Sequence, residues 1–90
     1  MGMVAVKIKV MPKSVETDIE QIKKKVVSEI EKKGLQNPTF EIQPIAFGLK
    51  AVIVMFGWPE EEELDSLEER LKKIKEISSV EVIDIRRAIG

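Results

Sequence analysis

Val4, Val6, Ile8 and Val10 alternate with Ala5, Lys7, Lys9 and Met11, the period of two that buries one face of a strand and leaves its lysines on the less covered face. Pro12 stops this strand. The period then changes: Ile19, Ile22, Val26 and Ile30 recur at steps of three and four, which predicts an amphipathic helix. It starts from the capping-box sequence Thr17-Asp18-Ile19-Glu20, runs to about Lys33 and ends at Gly34. Leu35 to Pro38 is a connector. Phe40 and Ile42 open a second alternating strand, Pro44 removes a ladder donor, and Gly48 permits a backbone that other residues resist, so the chain turns here. Residues 49 to 56 are apolar at every position but Lys50, as in a central strand with neighbours on both sides. Gly57-Trp58-Pro59 closes it. Pro59 suits the first turn of a second helix, with Glu60 to Glu63 at its electropositive end and Leu64, Leu67, Leu71 and Ile74 as its buried stripe. Lys72, Lys73 and Lys75 complete the opposite end, and Val80, Val82, Ile83 and Ile85 make a last strand.

The order strand, helix, strand, strand, helix, strand is that of an α+β, ferredoxin-like split βαβ sandwich. Right-handed crossovers place the first and third strands in the centre of a four-stranded antiparallel sheet, with two helices on one face and the other face partly open. The hairpin around Phe47 and Gly48 therefore joins an edge strand to a central one, and it places Phe47 and Lys50 at a sheet end.

Ninety residues make one domain, large enough to bury roughly 60% of the unfolded surface but too small for a second core. The chain is 43% hydrophobic and 34% charged, as in a folded protein rather than a disordered tail. A net charge of -1 argues against a dedicated nucleic-acid binder. Without cysteine or histidine there is no disulfide scaffold, zinc site, thiol or imidazole catalyst. The first residues read as a strand rather than a signal peptide or membrane span, so a cytoplasmic location is expected. Glu20 with Lys24, Glu29 with Lys33, and Glu68 with Lys72 have the spacing of helix-surface ion pairs.

No phosphate loop, no Ser or Cys beside an imidazole base and no carboxylate pair outside helix surfaces is present, so an enzyme is not indicated. An RNA-binding sheet needs aromatics at the centre of its two middle strands, and the first strand has none. Lys23-Lys24-Lys25 spreads over the polar side of its helix, a solvated face. Trp58, beside a proline at a helix entry, reads as a packing residue. Phe47 on residue type alone caps the core at a strand end, a role compatible with contacting a partner. Lys50, a lone charge opening an apolar strand, must reach solvent, the rim or a partner.

Pro44-Ile45-Ala46-Phe47-Gly48-Leu49-Lys50 resembles the signature of the archaeal elongation factor 1-beta family. The resemblance extends to the chain length, the opening Met3 to Pro12 and the terminal Ser79 to Ile85 strand, while the helices match only in pattern. It implies a single domain over residues 1–90 with a ferredoxin-like fold. It further implies a guanine-nucleotide exchange factor that promotes GDP release and GTP reloading on elongation factor 1-alpha, tightest on the nucleotide-free GTPase. Such a protein performs no covalent chemistry, needs no cofactor or metal, and works as a cytoplasmic monomer without nucleic acid or membrane. Ala46, Phe47, Gly48 and Lys50 are the expected partner contacts. Eukaryotic relatives carry a lysine near the C-terminus that reaches toward the partner's magnesium site, whereas here no lysine follows Lys75. Arg86 and Arg87 are the candidates to replace it. The rival reading is a small-ligand effector-binding or interaction module of the same fold.

Overall fold

The computed structural model describes residues 2–32 and 38–87. Strand β1 (Met3–Pro12) leads to helix α1 (Ile19–Glu31), strand β2 (Thr39–Pro44), a single 3-10 turn (Ala46–Gly48), strand β3 (Lys50–Pro59), helix α2 (Leu64–Lys72) and strand β4 (Ile77–Arg87). The sheet order is β2-β3-β1-β4 with every neighbouring pair antiparallel. This is the expected ferredoxin-like sandwich, with β1 and β3 central.

The register shows how alternation becomes a core. Val4, Val6, Ile8 and Val10 of β1 face Trp58, Phe56, Val54 and Val52 of β3. Paired residues of an antiparallel ladder share a face, so these eight side chains line one face, while Ile53 and Met55 of β3 fall on the other beside Lys9 and Lys7. Ile22, Val26 and Ile30 of α1 and Leu67 and Leu71 of α2 pack onto the first face, all fully buried. Phe56 and Trp58 meet edge to face with ring centroids 5.9 Å apart, and the Trp58 indole donates to the Glu62 carbonyl at 3.2 Å. Trp58 is thus a core residue whose polar atom is satisfied.

Three boundaries differ from the sequence reading. Helix α1 is capped by Asp18, whose carboxylate accepts from the Glu20 amide at 2.9 Å, while the Thr17 hydroxyl turns back to accept from the Ser14 amide at 3.2 Å. Its other end is described to Lys32, and the expected termination at Lys33 and Gly34 lies outside the described residues. Pro59 belongs to β3, in register with Met3, and not to a helix. The pairing even runs one step further, because the Glu60 amide donates to the Gly2 carbonyl at 2.9 Å. Helix α2 consequently starts at Leu64 with Glu63 as its N-cap and Asp65 in its first turn, so only the end of the acidic run reaches the helix dipole.

Strand β4 carries a bulge at Ile83: Val82 pairs with Ile8, but Asp84 pairs with Lys7. The slip of apolar positions from Val80 and Val82 to Ile83 and Ile85 is the imprint of that extra residue. It moves Asp84 and Arg86 onto the open face beside Lys7 and Ala5, and leaves Arg87 level with Val4.

Two of the three lysines of α1, Lys23 and Lys25, have structural partners. Lys23 pairs with Glu20 at 3.1 Å and lies over the Phe40 ring, 5.7 Å from its centroid. Lys25 grips both carboxylate oxygens of Glu76. Glu29 reaches Lys32 and, across the helix pair, Arg70, each at 3.0 Å. Ion pairs thus form between residues three apart and between helices; Lys33, the residue expected opposite Glu29, lies outside the described residues.

Candidate functional site

The connection between β2 and β3 is a tight turn. The Leu49 amide donates to the Ala46 carbonyl at 3.2 Å, and the Ile45 amide donates to the Leu49 carbonyl at 2.7 Å. Between them Phe47 (φ 61, ψ 30) and Gly48 (φ 78) both occupy the left-handed region, as a type I′ hairpin turn requires at its two central residues. Asn, Asp or Gly normally fills such a turn, because a bulky L side chain there costs about 1–2 kcal/mol. Phe47 is the only non-glycine residue with positive φ among the described residues.

Its side chain is nonetheless 94% exposed. The core-capping role is therefore ruled out: Phe47 contributes nothing to the interior, yet it carries both backbone strain and the unfavourable hydration of an exposed ring. Strained, exposed positions of this kind cluster at functional sites, which makes Phe47 a candidate. Lys50 opens β3 in register with Pro44, is exposed, and has no ion-pair partner among the described residues. Ala46 and Gly48 are exposed as well, so the four hairpin residues form one surface.

Arg86 and Arg87 do not join it. β3 and β4 both run antiparallel to β1, so they start at the same end of the sheet, where the hairpin sits, and finish at the other. Arg87 is level with Val4, which is level with Trp58. At ~3.3 Å per residue, the stretch from Lys50 to Trp58 separates the two groups by about 26 Å. Each arginine is also engaged: Arg86 Nε lies 2.9 Å from Asp84 on the same strand, and Arg87 3.0 Å from Glu60 in the turn after β3. Both side chains stay largely in solvent.

Sequence reasoning missed Val15. It is 60% exposed, and its Cγ1 comes within 3.6 Å of the position a Cβ on Gly48 would take. A lone apolar residue between Ser14 and Glu16, in a stretch that is otherwise polar, was the available signal. Val15, Gly48 and Lys50 border a shallow cleft of about 150 Å³ at this end of the molecule. A larger groove of about 460 Å³ lies on the open sheet face, floored by the register pair Ala5 and Gly57 and bordered by Met55, Thr39, Lys7 and Arg86.

Among the described residues no group of three or more acidic, cysteine or histidine side chains is placed to hold a metal. No helix there is long and apolar enough to cross a membrane. The chain belongs to the EF-1 guanine nucleotide exchange domain family, whose model matches residues 5–88. Among its relatives, "Elongation factor 1-beta" of Archaeoglobus fulgidus is 40% identical over 86 residues, covering 94% of this chain and 97% of the relative. The protein of that name from Methanosarcina acetivorans is 40% identical over 88 residues, covering 97% and 99%. That of Metallosphaera sedula is 41% identical over 86 residues, covering 93% of each. The role that follows is nucleotide exchange in translation elongation.

Proposed function

We propose that this chain is the exchange factor of elongation factor 1-alpha: it binds the GTPase, speeds GDP release and lets GTP reload. Residues 1–90 act as one exchange domain, monomeric and cytoplasmic, without covalent chemistry or a cofactor of its own. The observation that carries this reading is Phe47, exposed and held at positive φ on the hairpin whose sequence bears the family signature.

A GTPase holds its nucleotide through a phosphate loop and a Mg²⁺ that bridges phosphate oxygens, so a partner that reshapes either removes much of the affinity, tenfold for each ~1.4 kcal/mol. By linkage the nucleotide weakens the exchange factor's binding by the same factor, which makes the nucleotide-free complex the tight one. Ala46, Phe47, Gly48 and Lys50 supply the contact at one end of the sheet. Arg86 and Arg87, about 26 Å away, act only if the GTPase spans the length of the sheet. A molecule 42 Å long is compatible with a partner of several domains.

The test is the release rate of a fluorescent GDP from the purified GTPase with substoichiometric amounts of this protein. Acceleration is expected, with Lys50→Ala slower at unchanged thermal stability; an unchanged release rate overturns the proposal. The open-face groove favours a second reading, an effector-binding module. A saturable rise in melting temperature with an amino acid or nucleotide, and no effect on GDP release, would select it.

A further inference from the structure

The loop between β1 and α1 is more ordered than a simple connection requires. Thr17 donates its amide to the Ser14 carbonyl at 3.2 Å, the Ser14 amide donates to the Thr17 hydroxyl at 3.2 Å, and the Glu16 amide donates to the Ser14 hydroxyl at 3.2 Å. Ser14 to Thr17 is thus a tight turn braced by its own two hydroxyl side chains, a local pattern that competes well with other backbone arrangements. At its crest stands Val15, 60% exposed. Turn positions favour Pro, Asp, Asn, Ser and Gly, and a β-branched apolar residue 60% exposed there buries little of its own surface.

The neighbourhood supplies a reason. Val15 Cγ1 approaches the hairpin at Gly48, where a glycine leaves the backbone uncovered, and a Cβ there would stand 3.6 Å away. Gly48 is the chain neighbour of Phe47, which is 94% exposed. Two turns from separate parts of the chain, one braced by hydroxyls and the other strained at positive φ, therefore abut and each presents one apolar side chain. Lys13 immediately precedes the first turn and Lys50 follows the second; both are exposed and neither has an ion-pair partner among the described residues. Glu16 is the nearby exposed anion, since Asp18 is engaged as the helix cap.

We infer that Val15 is a second contact residue of the hairpin site, entering with Phe47 one apolar recess of the GTPase while Lys13 and Lys50 meet carboxylates at its rim. The inference rests on the exchange reading of the hairpin and extends it. Preorganised apolar anchors surrounded by unpaired cations suit a partner pocket of that chemistry, because little conformational freedom is lost on docking. A second copy of this chain is a poorer occupant: a two-fold contact is made by the same patch on both copies, so Lys13 and Lys50 would face their own counterparts.

The experiment compares Val15→Ala, Val15→Asp, Phe47→Ala and the double variant Val15→Ala/Phe47→Ala in GDP release from the purified GTPase, with melting temperature and sedimentation alongside. Val15→Asp should slow exchange about tenfold. Val15→Ala should slow it less, with neither melting temperature changed. The double variant should lose less than the product of the two single losses, as neighbours in one recess do. Should Val15→Asp fail to fold, Val15→Ala and the double variant still decide. Wild-type rates for every Val15 variant, beside a slow Phe47→Ala, would overturn the inference and leave the hairpin site standing. Self-association abolished by Val15→Asp at undiminished exchange would overturn it in favour of a second copy. A wild-type protein that fails to speed GDP release would bring down the exchange reading, and the inference with it.

Discussion

Lys25 on α1 holds Glu76, in the turn between α2 and β4, by both carboxylate oxygens, with its ammonium 2.8 and 2.7 Å away. Together with the Lys13 amide, which donates to the Glu76 carbonyl at 3.0 Å, it ties helix α1 and the β1–α1 connection to the turn before β4. The Lys25 hydrogen bond is the main cause that lowers the Glu76 pKa below its ordinary value of 4.5, its own backbone amide adds to it, and partial desolvation opposes it. A carboxylate depressed in the folded state stabilises the fold above its unfolded pKa, and that contribution is lost as pH falls through the folded value.

The expected outcome is that wild-type protein loses melting temperature between about pH 5 and its folded Glu76 pKa more steeply than Glu76→Gln. At neutral pH Glu76→Gln should be the less stable of the two. Parallel melting-temperature curves for the two proteins from pH 7 to pH 3 would show that the pair does not contribute.

Phe47 allows a trade of function for stability. Phe47→Asn or Phe47→Gly keeps the turn and relieves a bulky residue at φ 61, so a gain of about 1 kcal/mol in unfolding free energy is expected. GDP release should slow in the same variants. Urea denaturation measures the first effect and nucleotide release the second; a variant that is less stable than wild type would show that the ring does pack on the fold.

These two residues show what was and was not legible in the sequence. Alternation in β1 and the apolar run of β3 name their own faces, and even the bulge at Ile83 is visible as a slip of phase. The exposure of Phe47 is not visible, because an aromatic at a strand end points inward or outward according to a backbone angle that no spacing encodes. Pro59 misled for another reason: proline and a following run of glutamates are good helix openers, but the pairing of Met3 with Pro59 and of Gly2 with Glu60 holds this segment as strand. Long-range ladder bonds overrode local propensity. The separation of Arg86 and Arg87 from the hairpin was, by contrast, already contained in the topology, since two strands antiparallel to the same neighbour share their starting end.

Trp58 tests the core. It is 2% exposed, stacked edge to face with Phe56, and donates to the Glu62 carbonyl. Trp58→Phe should cost about 2 kcal/mol through the lost hydrogen bond and the smaller ring, and Trp58→Ala about 3–5 kcal/mol. Guanidinium unfolding followed by circular dichroism measures both; a near-neutral Trp58→Ala would contradict the burial.

The far end of the sheet sets the last test. Among the described residues β4 has β1 as its only neighbour in the sheet, and two exposed arginines at the end of such an edge would guard it against pairing with another chain. The same arginines are fixed cations with a planar fork that fits carboxylates, and close to a GTPase metal site they would compete with Mg²⁺ for its acidic ligands. Arg87 must first leave Glu60 and Arg86 must leave Asp84, at 3.0 and 2.9 Å, but exposed pairs of this kind contribute only about 0–1 kcal/mol and exchange partners readily. Arg86→Ala and Arg87→Ala are therefore expected to keep their melting temperature while slowing GDP release, most of all at high Mg²⁺, where competition for the metal's ligands is hardest. Glu60→Gln, which frees Arg87 without moving it, should shift the rate in the opposite direction to Arg87→Ala. Release rates measured across a Mg²⁺ titration, with binding to the nucleotide-free GTPase in parallel, check all three. Rates equal to wild type for both arginine variants at every Mg²⁺ concentration would assign this end to edge protection and leave exchange to the hairpin.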